Sequence, residues 1–399
     1  MAIRKKYTEI VNHIPKKEFT ILIGARQIGK STLLKQIADE LKSSGEIVYF
    51  FNLERKDVLQ ELDQSPENLF KFSPLQEGKK IIVMIDEIQY LKDATGFLKL
   101  LYDEYADRVK IIATGSSAFY IDKDFKDSLA GRKRIFQMPT LDLDEFIDFK
   151  GKPELLSDLY SLQKGEKQKS VYENLFWSLL DEYLNYGGYP AVVLESDFAE
   201  KKELLKEIRD SYVKRDILES GVIDEEKLFR LMAVLASQSG NLLNVNELSN
   251  TLRINNVTIE NYLYVLQKCF HISLVRPYYS NLRKELIKMP KVYMNDFGLR
   301  NILINYFAPI EQRADKGTLL ENYVFRKLIR QYEPDQVKFW RTADGNEVDF
   351  VVETSFQEGF AVEVKFQEYE AKLSKYKMFT ANYPDFPLQI WHWGNAELL

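Results

Sequence analysis

Gly24-Ala25-Arg26-Gln27-Ile28-Gly29-Lys30-Ser31, followed by Thr32, fits the pattern G-x-x-x-x-G-K-[ST]. The apolar run at 19–23 leads into it with the character of a buried strand, and residues 32–38 lead out with helical spacing. In that setting the two glycines let successive backbone N–H groups turn into one concavity, at the positive end of the following helix. Lys30 then reaches the β- and γ-phosphates, and the Ser31 hydroxyl holds Mg²⁺. The stretch from Gly24 to Thr32 is therefore expected to bind a nucleoside triphosphate.

A second stretch separates hydrolases from small-molecule kinases. Ile81-Ile82-Val83-Met84-Ile85-Asp86-Glu87 reads as a buried strand ending in adjacent carboxylates. Asp86 is expected to bind Mg²⁺ through water or through Ser31. Glu87, one residue beyond, is placed to polarise water for attack on the γ-phosphate. A kinase has no use for that second carboxylate, because its nucleophile is the substrate. The next strand, at 109–115, runs into Ser116 and Ser117, so Thr114 and Ser116 are candidates to touch the γ-phosphate or the attacking water. Ser116 or Ser117 can equally serve as an N-cap.

The rest of the composition narrows the class. A chain of 399 residues with 45% hydrophobic, 29% charged and 13% aromatic content is an ordinary globular protein of two to four domains. The single cysteine, Cys269, excludes an intrachain disulfide framework, and His13, His271 and His392 are too scattered to suggest a metal cluster. The basic N-terminus has no apolar run behind it, and the longest apolar runs are strand-length, so a cytoplasmic protein without membrane spans is expected. The net charge of −5 supplies no global pull on nucleic acid, so any such binding requires a local patch.

Along the chain, an α/β fold is expected. Residues 1–150 alternate strand and helix patterns, with strand candidates at 19–23, 46–52, 80–86, 109–115 and 134–138, the signature of a parallel sheet. Residues 151–220 read as a helical lid or linker. Residues 221–297 read as short helices followed by a basic hairpin at 276–288, and residues 298–399 as a helix followed by strands.

Several motifs in order carry a resemblance: Gly24 to Ser31, Ile85-Asp86-Glu87-Ile88-Gln89, Ala113 to Ser117, Leu129-Ala130-Gly131-Arg132, Gly187-Gly188-Tyr189-Pro190, Arg215-Asp216-Ile217 and Pro290-Lys291-Val292-Tyr293. Together they resemble bacterial and archaeal AAA-type (ASCE) P-loop ATPases with a C-terminal domain of unknown function. The resemblance covers essentially the whole chain. It implies ATP binding and hydrolysis, a winged-helix middle segment and a nuclease-like end. In such ATPases the position of Arg132 often faces a neighbouring subunit's nucleotide, so Arg132 is a candidate arginine finger in a homo-oligomer; a basic surface turn is the alternative.

In the winged-helix segment, 228–239, 246–252 and 257–268 read as three helices, with Leu263 and Leu266 inward. A helix-turn-helix places the exposed side of its last helix in the major groove. Only Asn261 and Tyr264 are plausible base readers there, and Glu260 opposes DNA, so backbone contact is expected over sequence reading. In the last segment, Glu347-Val348-Asp349 and Glu363-Val364-Lys365 lie on alternating strands. A hairpin joining them aligns Asp349 with Glu363 and Lys365, which resembles the PD-(D/E)xK nuclease core: carboxylates for Mg²⁺ and a lysine to orient water. Glu321 fits the upstream helical carboxylate of that family, although Thr318-x-x-Glu321 is also a capping box.

The expected function is a Mg²⁺-dependent ATPase acting on DNA through its later domains. A nucleotide-dependent switch, whose C-terminal fold only binds a protein partner, is the alternative.

Overall fold

Valine and isoleucine dominate the early strand candidates, and in the computed structural model they lie side by side. The structure describes residues 3–115, 129–163, 170–213, 224–279, 285, 288–367, 373–394 and 398. β1 (Phe19–Ile23), β2 (Val48–Asn52), β3 (Ile81–Asp86), β4 (Val109–Gly115) and β5 (Lys133–Gln137) form one parallel sheet in the order β2-β3-β4-β1-β5. β1, β3 and β4 are buried at every position, as strands covered on both faces must be. Leu22 pairs with Thr114 and Ile85 with Ala113, so the carboxyl ends of β1, β3 and β4 finish on one edge. Crossover helices α2 (Lys30–Ser43), α3 (Lys56–Gln64), α4 (Leu69–Phe72) and α5 (Ala94–Tyr105) flank the sheet, and α1 (Lys6–His13) precedes it.

Among the described residues, α6 (Leu143–Phe149), α7 (Pro153–Gln163), α8 (Glu173–Tyr186), α9 (Pro190–Leu194) and α10 (Phe198–Glu207) follow. The middle segment holds α11 (Glu225–Ser237), α12 (Val245–Leu252) and α13 (Asn256–Lys268). Antiparallel strands β6 (Ile272–Val275) and β7 (Lys291–Met294), then α14 (Phe297–Ile304), complete it. Leu263 and Leu266 face inward, while Glu260, Asn261 and Tyr264 are exposed on α13. The last segment runs α15 (Lys316–Gln331), β8 (Val337–Arg341), β9 (Glu347–Ser355), β10 (Glu358–Lys365), α16 (Lys377–Asn382) and β11 (Leu388–His392). Its sheet has the order β11-β10-β9-β8, with β10 and β11 parallel and the other pairs antiparallel.

The packing crosses these segment borders. One apolar cluster joins Leu22, Met84 and Ile112 of the parallel sheet to Leu231, Leu235 and Leu263 of the middle helices. Another joins Phe146, Leu180 and Tyr183 of the helical segment to Leu320, Phe339 and Phe350 of the last one.

The basic hairpin is described only in part. Residues 280–284, 286 and 287, Arg283 and Lys284 among them, lie outside the described residues. Of the described flanks, Arg276, Lys288 and Met289 are exposed, while Pro277, Tyr278 and Glu285 are buried. Pro277 bridges to Phe339, and Tyr278 packs against Tyr383 and Phe386. Glu285, also buried, accepts two bonds of 3.1 Å from Lys338 Nζ. The gain from burying an aromatic ring among other rings ties this end of the hairpin to the C-terminal sheet.

Candidate functional site

The loop after β1 takes the shape its glycines predict. Gly29 (φ 92°) precedes α2 in the left-handed region, and a Cβ at Gly24 would stand 2.2 Å from the Met138 carbonyl oxygen. Lys30 is buried, its Nζ donating to the carbonyls of Gly24 (2.9 Å) and Ala25 (2.7 Å) within its own loop. Ala25, Arg26 and Ile28 are buried, while Gln27 and Thr32 are exposed.

Two strand ends, those of β3 and β4, meet this loop. Ser31 Oγ donates to Asp86 Oδ1 at 3.0 Å. Thr114 Oγ1 donates to the same oxygen and accepts from the Glu87 backbone N–H at 3.1 Å. Glu87 itself sits in the left-handed region (φ 61°), and its carboxylate accepts from the Gln89 amide. A hydroxyl and a carboxylate held side by side, next to a phosphate-binding loop, fit the donor set of Mg²⁺, which takes one or two protein oxygens beside substrate phosphate. Ser116 lies outside the described residues, as do Ser117 and Arg215-Asp216-Ile217. Arg132 is partly exposed and forms a two-pronged pair with Asp103 of its own chain, at 2.6 and 3.2 Å.

Sequence reasoning missed the residues that brace this loop from afar. Arg4 donates to the Ile28 carbonyl (2.5 Å), the Pro139 carbonyl (2.6 Å) and Glu145 Oε1 (2.9 Å). Asp296 caps α14 through the Leu299 N–H and accepts from the Gly188 N–H, each at 2.9 Å. Leu141 N–H donates to the Gly188 carbonyl at 2.8 Å, and a Cβ at Gly29 would lie 3.9 Å from Pro190. The Gly187-Gly188-Tyr189-Pro190 turn thus connects the phosphate-loop end of the sheet to the start of α14.

The C-terminal residues also come together. The Asp349 N–H donates to Glu363 Oε2 at 3.4 Å, and the Val364 N–H donates to Asp349 Oδ2 at 2.8 Å. Lys365 Nζ donates to Glu363. Glu321 joins them through a residue no motif singled out for this site. Lys291, buried on β7, stands 2.9 Å from Glu321, 2.5 Å from Glu347 and 3.7 Å from Asp349. The Tyr293 hydroxyl also donates to Glu321 at 2.6 Å, and Arg341 pairs with Glu347. Burial opposes the charge on Lys291, but Glu321, Asp349 and Glu347 hold its pKa above the ordinary lysine value. Burial pushes Glu321 and Glu363 up to about 7. Glu321, Asp349 and Glu363 do not fit a metal as they stand, because the Lys291 and Lys365 ammonium groups, the Tyr293 hydroxyl and backbone N–H groups hold their oxygens. Among the described residues, no set of three or more His, Cys, Asp or Glu side chains is arranged to hold an ion.

Three family models match successive parts of the chain. The family described as "AAA domain" matches residues 16–147. Families described as "Domain of unknown function (DUF8612)" and "Domain of unknown function (DUF4143)" match residues 178–309 and 316–391. An uncharacterized protein of Haemophilus influenzae is 28% identical over 363 residues, 88% of this chain and 84% of its own length. The uncharacterized protein MJ1637 of Methanocaldococcus jannaschii is 30% identical over 326 residues, 77% of this chain and 67% of its own. Among solved structures, the Walker-type ATPase PABY2304 of Pyrococcus abyssi matches at 16% identity with a TM-score of 0.50. That match covers 76% of this chain and 96% of the other, and it is a likeness of fold.

Proposed function

The chain belongs to the family of the Methanocaldococcus jannaschii protein MJ1637, and from its AAA-type P-loop domain we propose that it binds ATP with Mg²⁺ and hydrolyses it. The observation that carries this reading is the hydrogen-bonded chain from Ser31 through Asp86 and Thr114 to the Glu87 backbone. Ser31 and Asp86 would hold Mg²⁺, which when bound neutralises charge on the β- and γ-phosphate oxygens. Lys30 leaves its two loop carbonyls to meet the phosphates, and the backbone N–H groups of the loop receive them. Glu87 polarises the attacking water, while Thr114 fixes the position of Glu87 relative to Asp86. Arg132 can serve a neighbouring copy only after leaving Asp103.

For the later segments the reading has two arms. DNA contact through the exposed side of α13, at Asn261 and Tyr264, makes the ATPase a DNA-dependent machine. The burial of Tyr278 and Glu285 against the C-terminal sheet favours instead a nucleotide-driven switch, with the C-terminal nuclease-like fold used for holding rather than cutting. Among the described residues, no helix is long and apolar enough to cross a membrane.

ATP binding and steady-state hydrolysis, with and without duplex DNA, test the reading. Lys30→Ala should abolish binding. Glu87→Gln should keep binding while lowering turnover roughly 10²–10⁴-fold, and undiminished turnover in that variant removes Glu87 from its role. Stimulation by DNA supports the first arm, and indifference to DNA the second.

A further inference from the structure

Lys291 is anchored before its side chain begins. Its backbone pairs with Val275 on one side and bridges Leu242 on the other, so its Cα has no freedom to withdraw. From there the side chain enters a cluster contributed by α15, β9 and β10. Only 2% of its surface is exposed, and its ammonium also lies 5.4 Å from the centre of the Phe339 ring. Four carboxylates, Glu321, Glu347, Asp349 and Glu363, there face three cations, Lys291, Arg341 and Lys365. A divalent ion at this spot needs oxygens at roughly 2.0–2.6 Å, and the ammonium already stands against Glu321, Glu347 and Asp349, whose oxygens the ion would use.

We propose that Lys291 is the resident cation of the C-terminal carboxylate cluster, closing it to divalent metal and latching the middle segment to the last one. Its charge does for Glu321, Glu347 and Asp349 what a metal does in a metal-dependent hydrolase, without a Lewis acid or an open coordination position. The cluster is then an interdomain joint built on a nuclease-like frame. Metal-dependent cleavage of phosphodiesters is not its chemistry. This inference does not depend on ATP turnover.

The test uses the full-length, nucleotide-free protein and Mn²⁺ alone, read by loss of the free-ion paramagnetic resonance signal and by thermal unfolding. Any ion held near Ser31 and Asp86 is common to all variants and cancels between them. Wild type and Asp349→Asn should give superimposable Mn²⁺ isotherms. Lys291→Met should bind one additional Mn²⁺ per chain, with Mn²⁺ raising its Tm by several degrees, and Lys291→Met combined with Asp349→Asn should lose that site. Lys291→Arg should stay closed. Wild-type Mn²⁺ binding that disappears in Asp349→Asn overturns the proposal, whether or not Lys291→Met folds. A folded Lys291→Met that gains no site overturns it as well.

Discussion

At the scale of the residue, Thr114 does more than its place at a strand end suggests. One hydroxyl hydrogen-bonds both Asp86, through its proton, and the backbone of Glu87, through its oxygen. Thr114→Val keeps the shape and removes both bonds. It is expected to lower ATP turnover about 10–100-fold, the scale on which misplacing a reacting group by an ångström acts, while nucleotide affinity changes little. A rate unchanged in single-turnover hydrolysis would remove Thr114 from the site. His271 gives a prediction of another kind. Burial pushes it down to about 4 from an ordinary 6.5. The folded value lies below the unfolded one, so its contribution to stability is present above pH 6.5 and is lost as the pH falls through 4. The loss amounts to about 3 kcal/mol. Unfolding by urea at several pH values should show that wild type loses more stability over this window than His271→Asn does; parallel curves contradict the assignment.

At the scale of the element, the turn from Gly187 to Pro190 joins separate parts of the fold by backbone contacts. A Cβ at Gly188 would stand 2.2 Å from the Leu141 carbonyl oxygen and 2.9 Å from its nitrogen, and neither backbone atom can step aside. Gly188→Ala should therefore cost about 1–3 kcal/mol, seen as a lower Tm. Gly317→Ala, at the start of α15 with nothing within 4 Å, should be neutral or slightly stabilising. Elements of this kind mark the limit of what the sequence makes legible. The five parallel strands and the three helices before β6 could be read because their periodicity is local. Asp349, Glu363 and Lys365 could be read for a related reason: strand alternation fixes which side chains share a face, whatever the tertiary setting; Glu321, on α15, came only from the family resemblance. Tyr278 and Glu285 could not be read, because a short basic stretch carries no local mark of the aromatic cluster waiting on the C-terminal sheet.

At the scale of the whole molecule, the missed residues share one property. Arg4, Asp296 and Lys291 find their partners far along the chain: Arg4 at Glu145, Asp296 at Gly188, and Lys291 at Glu321, Glu347 and Asp349. Nothing in the residues beside them announces those partners. These long-range bonds, with apolar clusters that run through the segment borders, make the phosphate loop answerable to the N-terminal stretch and to the start of α14. The Lys291 joint extends that dependence into the order in which the chain is made. A ribosome releases Lys291 30 residues ahead of Glu321, and Glu347 and Asp349 later still. At roughly 5–20 residues per second, the lysine emerges seconds before any of its carboxylates does. If Lys291 latches the two segments, the middle segment completes its folding with residues synthesised after it. A fragment ending at residue 309 should consequently unfold at a lower urea concentration than the same segment in the full chain, as hydrogen exchange at β7 would report. A fragment as protected as the full chain would show that the segment closes alone. Translation thus leaves the last strand of the middle segment waiting for its counter-charges, and maturation ends where the C-terminal carboxylates arrive.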